Sequence, residues 1–428
     1  MALAADLASP RQGRYRTALA SADLRRLLAA FVMVESGAWS YSVVLSVFVF
    51  TQTGSAAAVG AMISVRWITG MLAAGPAGVI ADRYERRKVL VTCSLLVTLV
   101  MLGMLLLIVA DAPIWMLAAA SSLNALVESP NGPAAGALIP QIVDEDDLVT
   151  ANVMLNLLEN IVIVVGPLLG GLLILTGSPA IAIGINACTY AIGALIYLRM
   201  SVRSYGDEAE AGDSLVTQWK TGIVALGSRP HALALLACVV LSTAMYGGQV
   251  VMFLAMSGDL GMGDSGLSYL LAAIALGGVL VAVVANRIAA MPSLAYVVVG
   301  SLLVESLPFI AISFTTSAPL ILALLVVSGA GTVMVDVIAN TSFQRIMPNH
   351  LLGRTLATVT MVALLAGSLA TMIAARLIDA VGVSRTEFLF GAVLAIGGVL
   401  VLPVLRRGEA SEGRIAGSLV ERVALIES

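Results

Sequence analysis

Charged residues are scarce in this 428-residue chain, where they make up 11% of the sequence against 59% hydrophobic residues. Soluble domains average about 25% charged residues, so the composition excludes an ordinary soluble protein and predicts a membrane protein. The polar, Arg-bearing N-terminus is followed by a full-length apolar run without a small-residue cleavage site. We therefore expect a retained first helix, not a signal peptide.

Other residue types and motifs are also sparse or missing. The chain has two histidines and three cysteines, and Cys93, Cys188 and Cys238 lie in apolar segments at unrelated spacings, which favours buried thiols over a disulfide framework or metal site. No G-x-x-x-x-G-K-[ST] phosphate loop occurs, and no nucleophile and base set or soluble catalytic domain is apparent. The sequence predicts no metal, no cofactor, no enzymatic activity and no nucleotide-driven pump.

Twelve apolar runs predict twelve transmembrane helices, since each crossing needs about 20 residues. The predicted spans are 27–50, 57–81, 88–110, 114–138, 148–175, 180–200, 231–256, 266–287, 293–314, 318–341, 352–377 and 388–405. One long polar segment interrupts them at the middle of the chain. We expect an all-α membrane protein with an N-terminal six-helix bundle at 1–200, a cytoplasmic linker at 201–230, a C-terminal six-helix bundle at 231–405 and a cytoplasmic tail at 406–428.

The distribution of basic residues predicts the orientation of these spans. Most Lys and Arg residues fall in the tails or in the inward connections, while the outer connections TQTGSAA, ADAP, TGSP and TTSAP have none; Arg376 and Arg385 lie near one outer loop. By the positive-inside rule both termini are cytoplasmic. QIVDEDDLVTANVM and RIMPNHLLGRTLAT also align, each joining spans four and five of its half, as expected for the internal repeats of secondary transporters.

The segment GVIADRYERRKVL, between spans two and three, resembles motif A of the major facilitator superfamily, G-x-x-x-D-R-x-G-R-R/K. The matching residues are Gly78, Asp82, Arg83, Arg86 and Arg87, while Glu85 stands where the second glycine is usual. The resemblance implies a fold of two pseudo-symmetric six-helix bundles with spans one, four, seven and ten around a cavity. It also implies a gating role in which Asp82 faces the positive N-terminal end of span eleven and favours the outward-open state.

Span five contains VVGPLLGG, which resembles motif C of the antiporter branches. The matching residues are Gly166, Pro167, Gly170 and Gly171. Because Gly166 and Gly170 share a helix face, they permit close helix contact. The resemblance supports export over uptake, although glycine-mediated packing alone explains the same pattern.

Span four departs from the pattern of the drug:proton antiporters, whose motif B has Arg-x-x-Gln-Gly. Here the corresponding residues are Glu128, Asn131 and Gly132, so a carboxylate replaces the arginine. An arginine-based proton relay therefore cannot be transferred to this chain. In its overall sequence pattern the chain is more similar to the siderophore- and macrolide-exporter branch.

Ionisable residues inside apolar spans cost roughly 2.5–3.5 kcal/mol each, so each is expected to have a partner or a function. They are Glu35, Arg66, Glu128, Glu159, Glu305 and Asp336. At about 1.5 Å per residue, the first four lie within roughly 10 Å of one another along the membrane normal. We expect Glu35, Glu128, Glu159 and Asp336 to be candidates for proton coupling, Arg66 to be a charge partner of Glu128 or Glu35, and Glu305 to have a structural role.

Polar residues at helical spacing form stripes on several spans. The candidates for lining a cavity are Trp39, Ser42, Asn131, Asn152, Asn156, Ser242, Tyr246, Gln249 and Asn340. The alternative is that these side chains form hydrogen bonds between helices, worth about 0.6 kcal/mol on average.

The sequence thus predicts a secondary active transporter of the cell membrane that works by alternating access. The leading hypothesis is a monomeric proton antiporter that exports a medium-sized, partly apolar compound of the drug, macrolide or siderophore kind. The alternative is a proton symporter or facilitator for uptake of a small nutrient. The expected partners are the small-molecule substrate, protons and the lipid bilayer, with no nucleic acid.

Overall fold

The structure is a computed structural model that describes residues 12–202, 204, 223–263, 265–289, 294–347 and 349–426. All regular elements in these ranges are helical. In the first half the helices are α1 Gln12–Ala18, α2 Ala22–Thr53, α3 Ala56–Arg83, α4 Arg86–Val109, α5 Ile114–Glu128, α6 Asn131–Ile142, α7 Leu148–Ile174 and α8 Pro179–Leu198. In the second half they are α9 Pro230–Asp259, α10 Gly266–Ala289, α11 Leu294–Ile312, α12 Ala318–Ile346, α13 Asn349–Val381 and α14 Val383–Ile426.

Within the described residues, 10 helices are long and apolar enough to cross a membrane. They are α2, α3, α4, α7, α8, α9, α11, α12, α13 and α14. The predicted eighth span corresponds to α10, which contains the shorter apolar helix Gly266–Val281. The predicted fourth span is divided between α5 and α6, of 15 and 12 residues. An all-helical membrane protein is therefore confirmed, while the twelve crossings and the cytoplasmic termini remain predictions.

The division between α5 and α6 has a local cause in Pro130. Pro130 has no N–H, so it cannot donate to the Leu126 carbonyl four residues earlier. The Ser129 hydroxyl donates to that carbonyl instead, at 2.9 Å. Ser129 and Pro130 both keep right-handed helical dihedral angles, so the chain continues in the same helical sense with an interrupted hydrogen-bond ladder. The interruption directly follows Glu128.

The chain divides into two compact units, which are described separately. In the first unit, α2 packs against α7 and α8, and α4 packs against α8 and α5. The contact between α2 and α7 is close because glycines face α2: a methyl group added at Gly170 would lie 2.9 Å from the Ser40 carbonyl oxygen, and one at Gly166 would overlap Trp39. Small residues bring helix backbones together in this way in membranes.

Asp23, in the first turn of α2, links the start of α2 to the residues that follow α8. Its carboxylate accepts hydrogen bonds from the Ser201 and Val202 amides, at 3.0 and 2.9 Å, just beyond the end of α8. The same carboxylate receives Arg26 at 2.8 Å. Carboxylates bound by amides and a guanidinium form strong, short hydrogen bonds. The start of α2 and the exit of α8 are thereby held at one point.

In the second unit, α9 packs against α13 and α14, and α11 packs between α12 and α14. Gly247 of α9 approaches the Gly367 carbonyl of α13, where the Thr371 hydroxyl donates to the Gly247 carbonyl at 2.7 Å. Phe253 and Phe309 stack with ring centroids 6.1 Å apart. The residues that begin α10, up to Ala272, group with the first unit.

Candidate functional site

The candidate site of the first unit centres on Glu128, the last residue of α5. The Tyr190 hydroxyl of α8 donates to its Oε1 atom. Its Oε2 atom lies 3.5 Å from Asn124 Nδ2, one turn earlier on α5, and 3.8 Å from Arg66 Nη2 of α3. Three helices thus direct donors at one carboxylate. This set of donors fixes the position of the carboxyl group.

Arg66 is partly enclosed. Its side chain is 24% exposed and that of Glu128 is 19% exposed, and its Cζ atom lies 5.9 Å from the ring centroid of Tyr41 on α2. Its buried Nε atom has no hydrogen-bond partner among the described residues. An ion pair in such a place adds little net stability because both ions lose water, yet breaking it by removing one partner is costly.

Two further carboxylates extend this cluster. Glu35, half-buried on α2, interacts electrostatically with Glu128, Glu159 and Arg66. Glu159 has an exposed side chain on α7. We call these four residues the N-half charge cluster. It contains more carboxylates than basic groups, so a proton or a cationic ligand can complete its charge balance.

The remaining cavity-lining candidates of the first unit lie in different environments. Trp39 packs against Gly166, and the Ser42 carbonyl accepts the Ser46 hydroxyl at 2.8 Å. Asn131 has a buried Oδ1 atom without a partner among the described residues. Asn152 is exposed and donates to the Leu148 carbonyl of its own helix at 2.9 Å. The side chain of Asn156 lies outside the described residues.

In the second unit, the candidates separate into an exposed and a buried group. Asp336 and Asn340 are exposed on α12, one turn apart, and Asn340 Nδ2 donates to Asp336 Oδ1 at 3.0 Å. Tyr246 is half-buried on α9. Ser242 and Gln249 are buried. Ser242 donates to Glu305 at 2.7 Å, which is the hydrogen bond between helices that the sequence left open as an alternative.

Two basic residues of motif A bind backbone carbonyls of neighbouring helices. Arg87 donates to the Tyr197 and Leu198 carbonyls at the end of α8, at 3.2 and 2.6 Å. Arg86 donates to the Ala137 carbonyl of α6 at 3.0 Å and to the Ser204 hydroxyl at 2.9 Å. Cations at helix C-terminal ends complement the helix dipole. The motif therefore holds the middle of α6 and the end of α8 inside the first unit.

The other motif residues are less informative. Arg83 is exposed, a methyl group at Gly78 would meet open space among the described residues, and the side chain of Asp82 lies outside them. The latch between Asp82 and span eleven remains a prediction. In motif C, Pro167 and Gly171 are buried on α7 together with the two glycines that face α2.

Sequence reasoning identified neither Tyr190, which contacts the site, nor a further buried carboxyl group, Glu387, which lies outside it. Tyr190 is one turn from Asn186 on α8, and such a polar pair in an apolar span is the signal that could have identified it. Glu387 is 2% exposed and interacts electrostatically with Asp259. It was missed because the predicted twelfth span begins at 388, whereas α14 begins at Val383.

A bundle of membrane-crossing helices with ionisable side chains buried inside one half is the architecture of a secondary transporter. The sequence model of the Major Facilitator Superfamily matches residues 27–371. The chain belongs to this superfamily. It is therefore a transporter, not an enzyme, and a multi-pass protein of the cell membrane, as the sequence predicted.

The chain is also weakly similar to macrolide efflux proteins. It is 25% identical over 195 residues to macrolide efflux protein A of Streptococcus pyogenes, which is 44% of this chain and 48% of that protein. It is 26% identical over 167 residues to macrolide efflux protein A of Enterococcus faecalis, 38% of this chain and 51% of that protein. The chain thus matches about half the length of these relatives. The similarity supports an efflux-like branch of the superfamily.

Solved structures of transporters share the fold. A variant of the nucleoside transporter NupG superposes with a TM-score of 0.75 at 11% identity, over 89% of this chain and 99% of that one. A bacterial homologue of the human lysosomal transporter Spinster gives a TM-score of 0.72 at 14% identity, over 90% and 97%. At these identities the likeness shows the fold alone.

Proposed function

We propose that the protein is a proton antiporter that exports a medium-sized, partly apolar compound of the drug, macrolide or siderophore kind by alternating access. The observation that carries the proposal is the environment of Glu128. A carboxylate held by Tyr190, Asn124 and Arg66 next to a helix interruption has an energetic cost inside a membrane span that a purely structural role does not explain.

Proton coupling requires a carboxyl group that can exchange its proton as the transporter changes state. Glu35 and Glu128 are the first candidates because they interact electrostatically across α2 and α5 and share one cation. Glu159 extends the cluster, and Asp336 is the corresponding candidate in the second unit. When substrate or a proton enters, the charge balance of the cluster changes, which is the differential interaction a two-state transporter needs.

The motif A residues contribute to the conformational cycle in this proposal. Arg86 and Arg87 hold the middle of α6 and the end of α8 in place, and the latch that motif A implies between Asp82 and span eleven would favour the outward-open state. The proposal further includes cytoplasmic termini, the domain boundaries given above and a monomeric transporter. The similarity to macrolide efflux proteins supports export of macrolide-sized compounds.

The test is transport in proteoliposomes with an imposed pH gradient, using erythromycin as the probe. Glu35→Gln and Glu128→Gln are expected to lose proton-driven flux, while Asp111→Asn, a matched change in an exposed loop, keeps it. If both glutamate variants retain the flux, the coupling assignment is wrong. A drug-susceptibility panel on a pump-deficient host expressing the gene would identify the class of substrate.

The second candidate function is proton symport or facilitated uptake of a small nutrient. Its support is that the same fold occurs in a nucleoside transporter. Inverted and right-side-out vesicles separate the two: an exporter accumulates substrate in inverted vesicles, whereas an uptake protein accumulates it in right-side-out vesicles. The glycine motif on α7 favours the first result.

A further inference from the structure

Glu305, on α11, lies in the interior of the second unit. Its side chain is 0% exposed. The Ser242 hydroxyl of α9 donates to Oε2 at 2.7 Å, and the Thr332 side chain of α12 lies beside the carboxyl group. Oε1 accepts no hydrogen bond from the residues that the structure describes. Ser242 and Thr332 offer two hydroxyl groups at most, which is fewer than the donors that an ionised carboxylate can accept.

The elements around Glu305 bring hydroxyls but no charge. From α9 the facing group is Ser242, and from α12 the facing groups are Ser328, which donates to the Glu305 carbonyl at 2.8 Å, and Thr332. On the third side α14 contacts α11 through Gly391 and Gly398. The nearest carboxyl on α14, Glu387, interacts with Asp259 instead. Within the described residues, no basic side chain acts on Glu305.

This environment suits an uncharged carboxylic acid. A buried carboxylate without a cation costs far more than a buried acid group, which needs only one donor and one acceptor. The Thr332 hydroxyl donates to the Ser328 carbonyl at 3.2 Å, so its oxygen lone pairs are free to accept the proton of an acid at Oε1. Packing alone would not require a carboxylic acid here, because an amide or an apolar residue would also fill the space beside these hydroxyl groups.

A second carboxyl group lies one helical turn away from Thr332. Asp336 follows Thr332 by four positions on α12, so both share a face. Asp336 is exposed, whereas Glu305 is enclosed. Thr332 thus stands between an accessible carboxyl and a buried one.

We propose that Glu305 is a proton-binding site of the second unit, which exchanges its proton with Asp336 past the Thr332 hydroxyl. In this step the O–H bond at Glu305 breaks as an O–H bond forms at the Thr332 oxygen, and the original Thr332 O–H bond breaks as its proton passes to a carboxylate oxygen of Asp336. The proposal rests on the proposed function, because it assigns a second proton to the same transport cycle, separate from the N-half charge cluster. The site binds protons, not the exported compound.

The experiment compares two modes of erythromycin movement in proteoliposomes containing the full chain. Net flux driven by a pH gradient requires proton release, whereas exchange of labelled for unlabelled erythromycin at equal concentrations does not. Glu305→Gln keeps the shape of the uncharged acid. Its net flux is expected to fall about tenfold or more, as when a proton-transfer group is removed, with exchange close to wild type. Glu387→Gln, an equally enclosed change, is expected to leave both modes intact.

The outcomes are distinguishable. If wild type shows no pH-driven flux, the proposed function fails. If wild type shows it and a folded Glu305→Gln protein keeps it, or loses net flux and exchange together, the proton site at Glu305 is overturned. If Glu305→Gln does not elute as a single folded species, Thr332→Val decides. That variant removes the hydroxyl and keeps the side-chain volume, so retained net flux overturns the proposal and loss of net flux with intact exchange supports it.

Discussion

The Tyr190 hydroxyl of α8 donates a hydrogen bond to Oε1 of Glu128 at the end of α5. This contact links α5 to α8. It leaves Oε2 facing Asn124 and Arg66, so the orientation of the carboxyl group is defined from both sides. Tyr190 is a positioning residue for the candidate coupling group.

Replacing Tyr190 with Phe tests this role. The change removes one hydrogen bond to a charged group, worth about 1.5–3 kcal/mol, and keeps the ring. We expect erythromycin flux driven by a pH gradient to fall about tenfold, the equivalent of about 1.4 kcal/mol, while exchange at equal concentrations persists. Tyr269→Phe, at an exposed position, is the matched control. Unchanged net flux in Tyr190→Phe would show that the contact does not matter for coupling.

The ion pair between Arg66 and Glu128 predicts a difference between stability and activity. Arg66→Met leaves the carboxylate without its cation and should destabilise the protein by about 2 kcal/mol, below the loss in a fully buried pair because both groups retain some exposure. The double change to Met at both positions should restore stability to near wild type, since an apolar pair replaces an ionic one. Thermal unfolding followed by tryptophan fluorescence measures this.

Transport measurements are expected to rank these variants differently from the stability measurements. The double variant should be stable and inactive because it lacks Glu128. A double variant that is less stable than Arg66→Met alone would contradict the view that the pair adds little net stability.

The close contact between α7 and α2 predicts a strong effect of a single methyl group. In Gly170→Ala, the added carbon would lie 2.9 Å from the Ser40 carbonyl oxygen and 3.0 Å from Val43 Cβ. Such overpacking costs about 1–3 kcal/mol, seen as a lower unfolding temperature. In Gly103→Ala, where the methyl meets open space, the change should add up to about 1 kcal/mol through helix propensity. Equal behaviour of the two variants would refute the packing assignment.

The helix interruption after Glu128 predicts that a more regular helix is a poorer transporter. Pro130→Ala supplies an N–H for the Leu126 carbonyl, so α5 and α6 can form one ladder and the unfolding temperature should not fall. Displacing Glu128 by about an ångström would lower transport by about tenfold to hundredfold. Pro140→Ala, inside α6 and away from Glu128, is the control. If Pro130→Ala retains wild-type flux, the helix interruption is not required for coupling.

Much of the fold follows from the sequence because the cost of exposing backbone in lipid leaves few choices. Apolar runs gave helices in the expected order, although the ends differ: α2 runs from Ala22 to Thr53 where 27–50 was predicted, because helices continue past the apolar core. Charges inside the runs were equally easy to find, since each has a large insertion cost. The proximity of Arg66 and Glu128 could therefore be anticipated.

The contacts of neutral side chains could not be anticipated. Ser242 and Gln249 share a stripe with Tyr246, but the rotation of α9 turns both of them inward, and rotation depends on packing that helical periodicity does not encode. Tyr190 was not predicted because a single hydroxyl group in an apolar run is weak evidence for a site unless Asn186, one turn earlier, is considered with it. Glu305 was expected to be structural from its peripheral span, and only its burial and its unpaired oxygen revealed a different possibility.

The contact of Asp23 with the Ser201 and Val202 amides bears on how the chain is assembled. It joins the first residues of α2 to the residues that follow α8, so every group it needs has been synthesised before α9 begins. Helices α1 to α8 can pack together at the translocon while the rest of the chain is still being translated. The Asp23 contact then protects these helices from mispairing with helices that are inserted later. A substitution at Asp23 should therefore reduce the yield of inserted protein more than the activity of the protein that is correctly inserted.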